Sequence, residues 1–184
     1  MNEVLKAIFD RNSCRDFSPA PLTSDQVQTL AKAALAAPSA VNRQPWHIIV
    51  ITDKAMLDEY DTDALAVLKE SNSEFYQRMM ERGGKIFYDA PCLIFIALDS
   101  TADSAMVDCG IVTQNIALAA HSMGLGNVIC GMARIPLTGP RAEEWRKRLQ
   151  IPEGYNFGMS VCVGKANSGK EPHDLEFDKL TYID

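Results

Sequence analysis

At 184 residues the chain fits one domain with a hydrophobic core of its own, and it needs no disulfide or metal to hold it. Its 47% apolar and 23% charged residues are the balance of a soluble globule. A net charge of −6 argues against general affinity for nucleic acid or anionic membrane, and leaves only a local anion site built from clustered basic residues.

The first element is a short helix within MNEVLKAIFD, with Val4, Leu5 and Ile8 on one face. This start lacks the basic cluster and apolar run of a signal peptide, so a cytoplasmic location is expected. RNSCRDFSPAPL, residues 11 to 22, reads as extended. Thr23-Ser-Asp-Gln26 is a capping box, and Val27, Leu30, Ala31, Ala34 and Leu35 form the apolar stripe of the helix it opens. Pro38 disfavours helical geometry at Ala37, so the helix stops there. The junction that follows, APSAVNRQP, is long for a helix-to-strand turn and rich in side chains able to form directed hydrogen bonds.

Residues 46 to 52 read as a buried strand, 54 to 70 and 74 to 82 as helices, with Gly83-Gly84 breaking the second. Pro91 to Leu98 is another buried strand, and its apolar run is too short to span a bilayer. Thr101 to Met123 reads as a long, central, buried helix whose small residues (Ala105, Gly110, Ala117, Ala119, Ala120) admit close packing. Asn127 to Cys130 is a short strand, Pro140 to Leu149 a charged helix and Phe157 to Val163 a strand. Leu175 to Asp184 is an extended tail with little core to cover. Helices alternate with strands in a single domain, which gives an α/β or α+β class.

Gly124-Leu-Gly126 fails as a dinucleotide-binding loop, because its third position is Ile129 and it precedes a strand; it reads as a helix cap and turn. Arg11, Ser13 and Arg15 share one face of an extended chain, which suits a phosphate or a solvated basic patch. Lys165 and Lys170 form a second small basic cluster, and the two clusters together would suit a dianion. Cys130-Gly131 is either a plain strand end or a place where backbone meets a ligand. The cysteines at 14, 92, 109, 130 and 162 have no metal or redox spacing and read as reduced, mostly buried thiols. No histidine has a partner pattern, and no metal site is expected.

Together these stretches resemble the FMN-dependent nitroreductase family. The matching pieces are R11-N-S13-C-R15, A37-P-S39-A-V-N42-R-Q44-P45-W46, D108-C-G110-I-V-T-Q114-N115 leading to M123-G-L-G126, and V163-G164-K165. The resemblance implies an α+β nitroreductase-like fold over residues 1 to 184, with a central, mostly antiparallel sheet flanked by helices in an intertwined homodimer. It implies FMN at the dimer interface and NADH or NADPH as donor. Nitroaromatic, quinone or similar small-molecule electron acceptors would be reduced by ping-pong hydride transfer, with no nucleic acid or membrane partner. Carried onto this sequence, Arg11, Asn12, Ser13 and Arg15 bind the cofactor, with Arg11 and Ser13 at the phosphate and Arg15 nearer the ribityl chain or ring. Lys170 is the first choice and Lys165 the second for a late phosphate contact. Pro38, Ser39, Ala40 and Asn42 come from the partner subunit, and the Cys130-Gly131 backbone reaches flavin N5. Cys130 departs from the Glu-Gly common in the family. The chemistry would sit on the flavin, with no catalytic side chain. The alternatives are a reductase of another type on the same fold (dehalogenation or flavin fragmentation) and a flavin-binding protein without turnover.

Overall fold

The computed structural model describes residues 1–71 and 73–183. Four strands form one sheet: β1 (Trp46–Ile51), β2 (Cys92–Asp99), β3 (Gly126–Ile129) and β4 (Tyr155–Gly164), in the order β1-β2-β4-β3. Every neighbouring pair is antiparallel, so the mostly antiparallel sheet expected from sequence is wholly so among the described residues. β2 lies in the middle and is covered on both faces, which is why CLIFIAL is a continuous apolar run.

The pleat divides the core in two. Leu93, Phe95 and Cys162 face α3 (Lys54–Ser71) and Trp145 of α6 (Ala142–Arg148). Ile94, Ile96 and Val161 face α2 (Ser24–Leu35) and α5 (Ala105–Ser122). The capping box at Thr23 forms as expected: the Gln26 N–H donates to the Thr23 hydroxyl at 3.2 Å, and the Gln26 side-chain carbonyl oxygen accepts the Thr23 N–H at 2.9 Å. The other two α-helices among the described residues are α1 (Glu3–Asp10) and α4 (Ser73–Glu81).

Two expectations change. The long helix begins at Ala105 because Asp99 accepts both the N–H and the hydroxyl of Thr101, which holds 101–104 as a turn. Only one side of α5 is buried; Met106, Val107, Gly110 and Gln114 form an exposed stripe on the other. The tail is exposed and covers little core, as expected, with a 3₁₀ turn at Phe177–Lys179; Asp184 lies outside the described residues.

The α3 helix anchors two loops near the sheet end. Asp61 accepts the N–H groups of Ile86 and Phe87, both at 2.8 Å, and the Tyr60 hydroxyl donates to the Ala133 carbonyl at 2.6 Å. On its outer face, Glu59 accepts two bonds from Arg148 and one from Arg141, while both guanidinium groups stack on Trp145. The Arg148 and Arg141 hydrogen bonds draw the Glu59 carboxyl down from 4.5 to about 2. The folded chain therefore releases this proton more readily than the unfolded chain. The resulting stabilisation is complete above pH 4.5 and is lost as the pH falls toward 2. Glu59→Gln should lower the urea midpoint modestly at pH 7, and its difference from the wild type should shrink by pH 3. A difference that does not change with pH would show that the ion pair contributes nothing.

Candidate functional site

The N-terminal segment after α1 lies along the free side of β3. Ser13 pairs with Asn127 in parallel, and the Cys14 N–H donates to the Asn127 carbonyl at 2.8 Å. The same segment then meets the chain leaving β4. The Ser18 N–H donates to the Lys165 carbonyl at 2.8 Å, Phe17 pairs with Ala166, and the Asn167 N–H donates to the Asp16 carbonyl at 3.0 Å. Two basic clusters about 150 residues apart in sequence are thus tied together at one sheet edge.

Two glycines allow this approach. Gly126 and Gly164 are direct partners across β3 and β4. A Cβ on Gly126 would come within 2.8 Å of Cys14 Sγ, and one on Gly164 within 2.6 Å of Pro91 Cδ and 3.0 Å of Phe17. Cys14 is buried here, and burial raises its thiol, so it packs the segment down and is no nucleophile. Among the described residues, Arg11, Arg15, Lys165 and Lys170 form no ion pair. Burial pushes up the Tyr88 phenol, and the nearby Arg15 guanidinium opposes that shift. Lys170 lies farther out on the exposed tail.

Beyond Asn127, β3 leads to Cys130 and Gly131. The Cys130 N–H donates to the Ser160 carbonyl at 2.8 Å, and the Cys130 carbonyl accepts the Ser160 hydroxyl at 2.5 Å. Its thiol donates to the Ile86 carbonyl at 3.9 Å and points into the core beside Cys162, whose own free thiol is pushed well up by the neighbouring Cys130 thiol and by burial. The side chain that departs from the Glu-Gly pattern is therefore turned away from the surface. Gly131 opens a 3₁₀ turn (Gly131–Thr138), where the first N–H groups lack partners within the turn. A groove of about 1100 Å³ starts here, between Met132, Met159, Phe157 and Leu68, with Arg134 at its rim.

The 37–45 turn is elsewhere. It precedes β1, which is separated from β3 by three strand spacings, about 14 Å. Trp46 is level with Leu98 and Asn156, eight residues or about 26 Å along the sheet from Gly164. One chain therefore brings Arg11, Asn12, Ser13, Arg15 and Lys165 together, with Cys130-Gly131 farther along the same edge. It leaves Pro38, Ser39, Ala40 and Asn42 far away.

That turn is unusually constrained. Val41, Asn42 and Gln44 have φ of 46, 55 and 48°, in the left-handed region. Asn tolerates it, but for a β-branched valine it is an outlier, of a kind that costs about 1–3 kcal/mol and clusters at functional sites. Asp108, 3% exposed, accepts the Ala40 N–H at 3.2 Å on one oxygen and the Ser104 hydroxyl at 2.8 Å on the other. Ser39 Oγ accepts the Gln44 N–H at 2.8 Å, and Gln44 Nε2 donates to Asn42 Oδ1 at 3.0 Å. Val41 at the tip is 97% exposed.

A family model described as the nitroreductase family matches residues 8–165. The chain belongs to the nitroreductase family. It is similar to a crystal structure of a nitroreductase with bound FMN from Desulfitobacterium hafniense, at 47% identity, 100% coverage of both chains and a TM-score of 0.95. A nitrobenzene nitroreductase from Ectopseudomonas oleovorans is 28% identical over 213 residues, covering 94% of this chain and 91% of that one. An NADPH-flavin oxidoreductase from Vibrio harveyi is 32% identical over 178 residues, covering 93% and 69%.

Sequence reasoning on this chain missed Tyr88, Asp108 as the clasp behind the turn, the role of Gln44 and the groove residues Met132, Met159 and Arg134. Only Gln44 left a local signal, as one of the polar groups crowded into the junction. The others meet their neighbours through tertiary contacts alone.

The glycine pair gives a direct test. Gly126→Ala should cost about 1–3 kcal/mol through overpacking against Cys14. Amide exchange at Cys14 should accelerate relative to that at Phe95. Unchanged stability and exchange would mean that the segment does not depend on close approach.

Proposed function

We propose that this chain binds FMN and passes electrons from NADH or NADPH to a nitroaromatic, quinone or similar small acceptor. We further propose that it works as a homodimer with two flavin sites between the subunits. The observation that carries this reading is the convergence of Arg11, Ser13 and Lys165 at one end of the β3 edge, with the Gly131 N–H farther along it. From Asn127 to Gly131 the strand rises about 13 Å, enough to separate a phosphate from a ring system. Cations without carboxylate partners among the described residues, in a chain of net charge −6, fit a dianionic phosphate. The FMN bound in the Desulfitobacterium nitroreductase agrees with that fit.

In this reading Arg11, Asn12 and Ser13 grip the phosphate with Lys165; the Ser18–Lys165 bond favours Lys165 over Lys170 for the late contact. Arg15, close to Tyr88, faces the ribityl chain or ring. The Cys130-Gly131 backbone meets the N5 side, where a preorganised donor stabilises negative charge as it develops. FMN, when bound, supplies the hydride chemistry. The protein's own task is to bind, orient and stabilise charge, so no side chain has to act as nucleophile or base. Donor and acceptor using one slot in turn gives ping-pong kinetics. The groove that opens at Gly131 suits that slot.

Several features support the homodimer. Pro38, Ser39, Ala40 and Asn42 lie too far from Arg11 to serve the same flavin in one chain. α1 buries none of its residues, although Val4, Leu5, Ile8 and Phe9 are apolar. Met106 and Val107 on α5 and Leu175, Phe177, Leu180, Tyr182 and Ile183 in the tail are also exposed, an apolar surface of the kind that marks an interface. β1 presents an unpaired edge, among the described residues, beside a groove of about 420 Å³ running from His47 to Asp53.

Arg11→Ala should weaken FMN binding by about 1.5–3 kcal/mol, the worth of a charge-assisted hydrogen bond, and riboflavin binding much less. Equal losses for both ligands would remove Arg11 from the phosphate. Subunit sharing is tested by refolding an inactive Arg11 variant together with an inactive Asn42 variant. Random mixing makes about half the dimers mixed, and in each of these one site receives both intact residues, so roughly a quarter of normal activity returns. No recovery, with mixing confirmed by mass, would rule out the shared site.

A further inference from the structure

Gln44 occupies an unusual position. Its left-handed backbone turns its own N–H onto Ser39 Oγ and brings its side-chain amide onto Asn42. The bond is specific in sense: Gln44 Nε2 donates and Asn42 Oδ1 accepts, at 3.0 Å. The oxygen end of the Asn42 amide is therefore engaged within the turn, and its NH₂ is left as the group available to a ligand. Without Gln44 an exposed asparagine amide would be free to rotate by about 180° and offer either end. Asp108 clasps the turn from behind at Ala40, and Ser39 closes it from within, so the backbone cannot swing to compensate.

We propose that Gln44 is a positioning residue that fixes the Asn42 amide with its NH₂ outward, as a donor toward the flavin ring of the second subunit. This inference rests on the functional reading above. A flavin ring offers one donor, N3–H, and several acceptors, its two carbonyl oxygens with N1 and N5, and the acceptors gain negative charge on reduction. An outward NH₂ meets those acceptors and favours the reduced form, whereas an outward oxygen could only meet N3–H and would not. The strained φ values of Val41 and Gln44 then have a purpose, since a relaxed turn would carry the Gln44 amide away from Asn42.

The test measures FMN dissociation constants by flavin fluorescence, and the midpoint potential by dye equilibration, on the full chain. Four proteins are compared: wild type, Gln44→Met, Asn42→Gly and the double variant. Methionine keeps the length of Gln44 and removes its donor; glycine tolerates the φ of Asn42. Gln44→Met should weaken FMN binding roughly three- to tenfold and lower the potential, by analogy with a lost neutral hydrogen bond. Asn42→Gly should do at least as much, and the double variant should be no worse than Asn42→Gly alone, because Gln44 acts only through Asn42. Losses that add in the double variant would make Gln44 a structural residue and overturn the inference. So would an Asn42→Gly defect that Gln44→Met does not share, which leaves the flavin reading intact. If Asn42→Gly changes neither affinity nor potential, the turn does not face the flavin, and both the shared site and this inference fall. Thermal midpoints of the FMN-free proteins, expected to be close to one another, separate these outcomes from loss of fold.

Discussion

Gly126 and Gly164 face each other across β3 and β4, and the N-terminal segment crosses them at a separation that leaves no room for a side chain. Everything proposed for the phosphate end of the site depends on that approach. It lets Ser13 pair with Asn127, lets Ser18 reach Lys165, and so brings together cations from the two ends of the chain. Concentrating positive charge is unfavourable without an anion. Backbone hydrogen bonds and the buried Cys14 and Phe17 hold the segments in place, so the arrangement does not require the ligand to assemble it.

The other half of the proposed site is set by strain rather than by close approach. Three non-glycine residues of the 37–45 turn adopt left-handed geometry, and a buried aspartate on α5 clasps the turn. Asp108 spends both carboxylate oxygens on neighbours in its own chain, which suits a support better than a ligand-binding group. The sheet order keeps this turn and the basic edge apart, and it was this separation that led us to propose a second subunit as the source of one of them.

The Cys130-Gly131 junction shows how a departure from a family pattern can be accommodated. The Cys130 side chain faces the core beside Cys162, while both of its backbone groups bind Ser160. What remains available is the head of the 3₁₀ turn at Gly131.

The sequence by itself determined the elements whose cause is local. The capping box at Thr23, the helix stop before Pro38, the cap at Gly124 with φ of +70° and the continuous apolar run of β2 were all legible, because propensity, backbone geometry and burial act over a few residues. The two basic motifs and the crowded polar turn were also visible as residue types at particular spacings. Tertiary structure alone decided which of them meet. Hydrogen bonds from Ser18 to Lys165 and from Ala40 to Asp108 join residues roughly 150 and 70 positions apart, and no spacing rule reaches that far. The exposed outer stripe of α5 and the direction of the Cys130 thiol were likewise settled by what packs against each residue. In a folded chain the neighbours that matter are chosen by the sheet order, and the order β1-β2-β4-β3 is written in no single stretch of sequence.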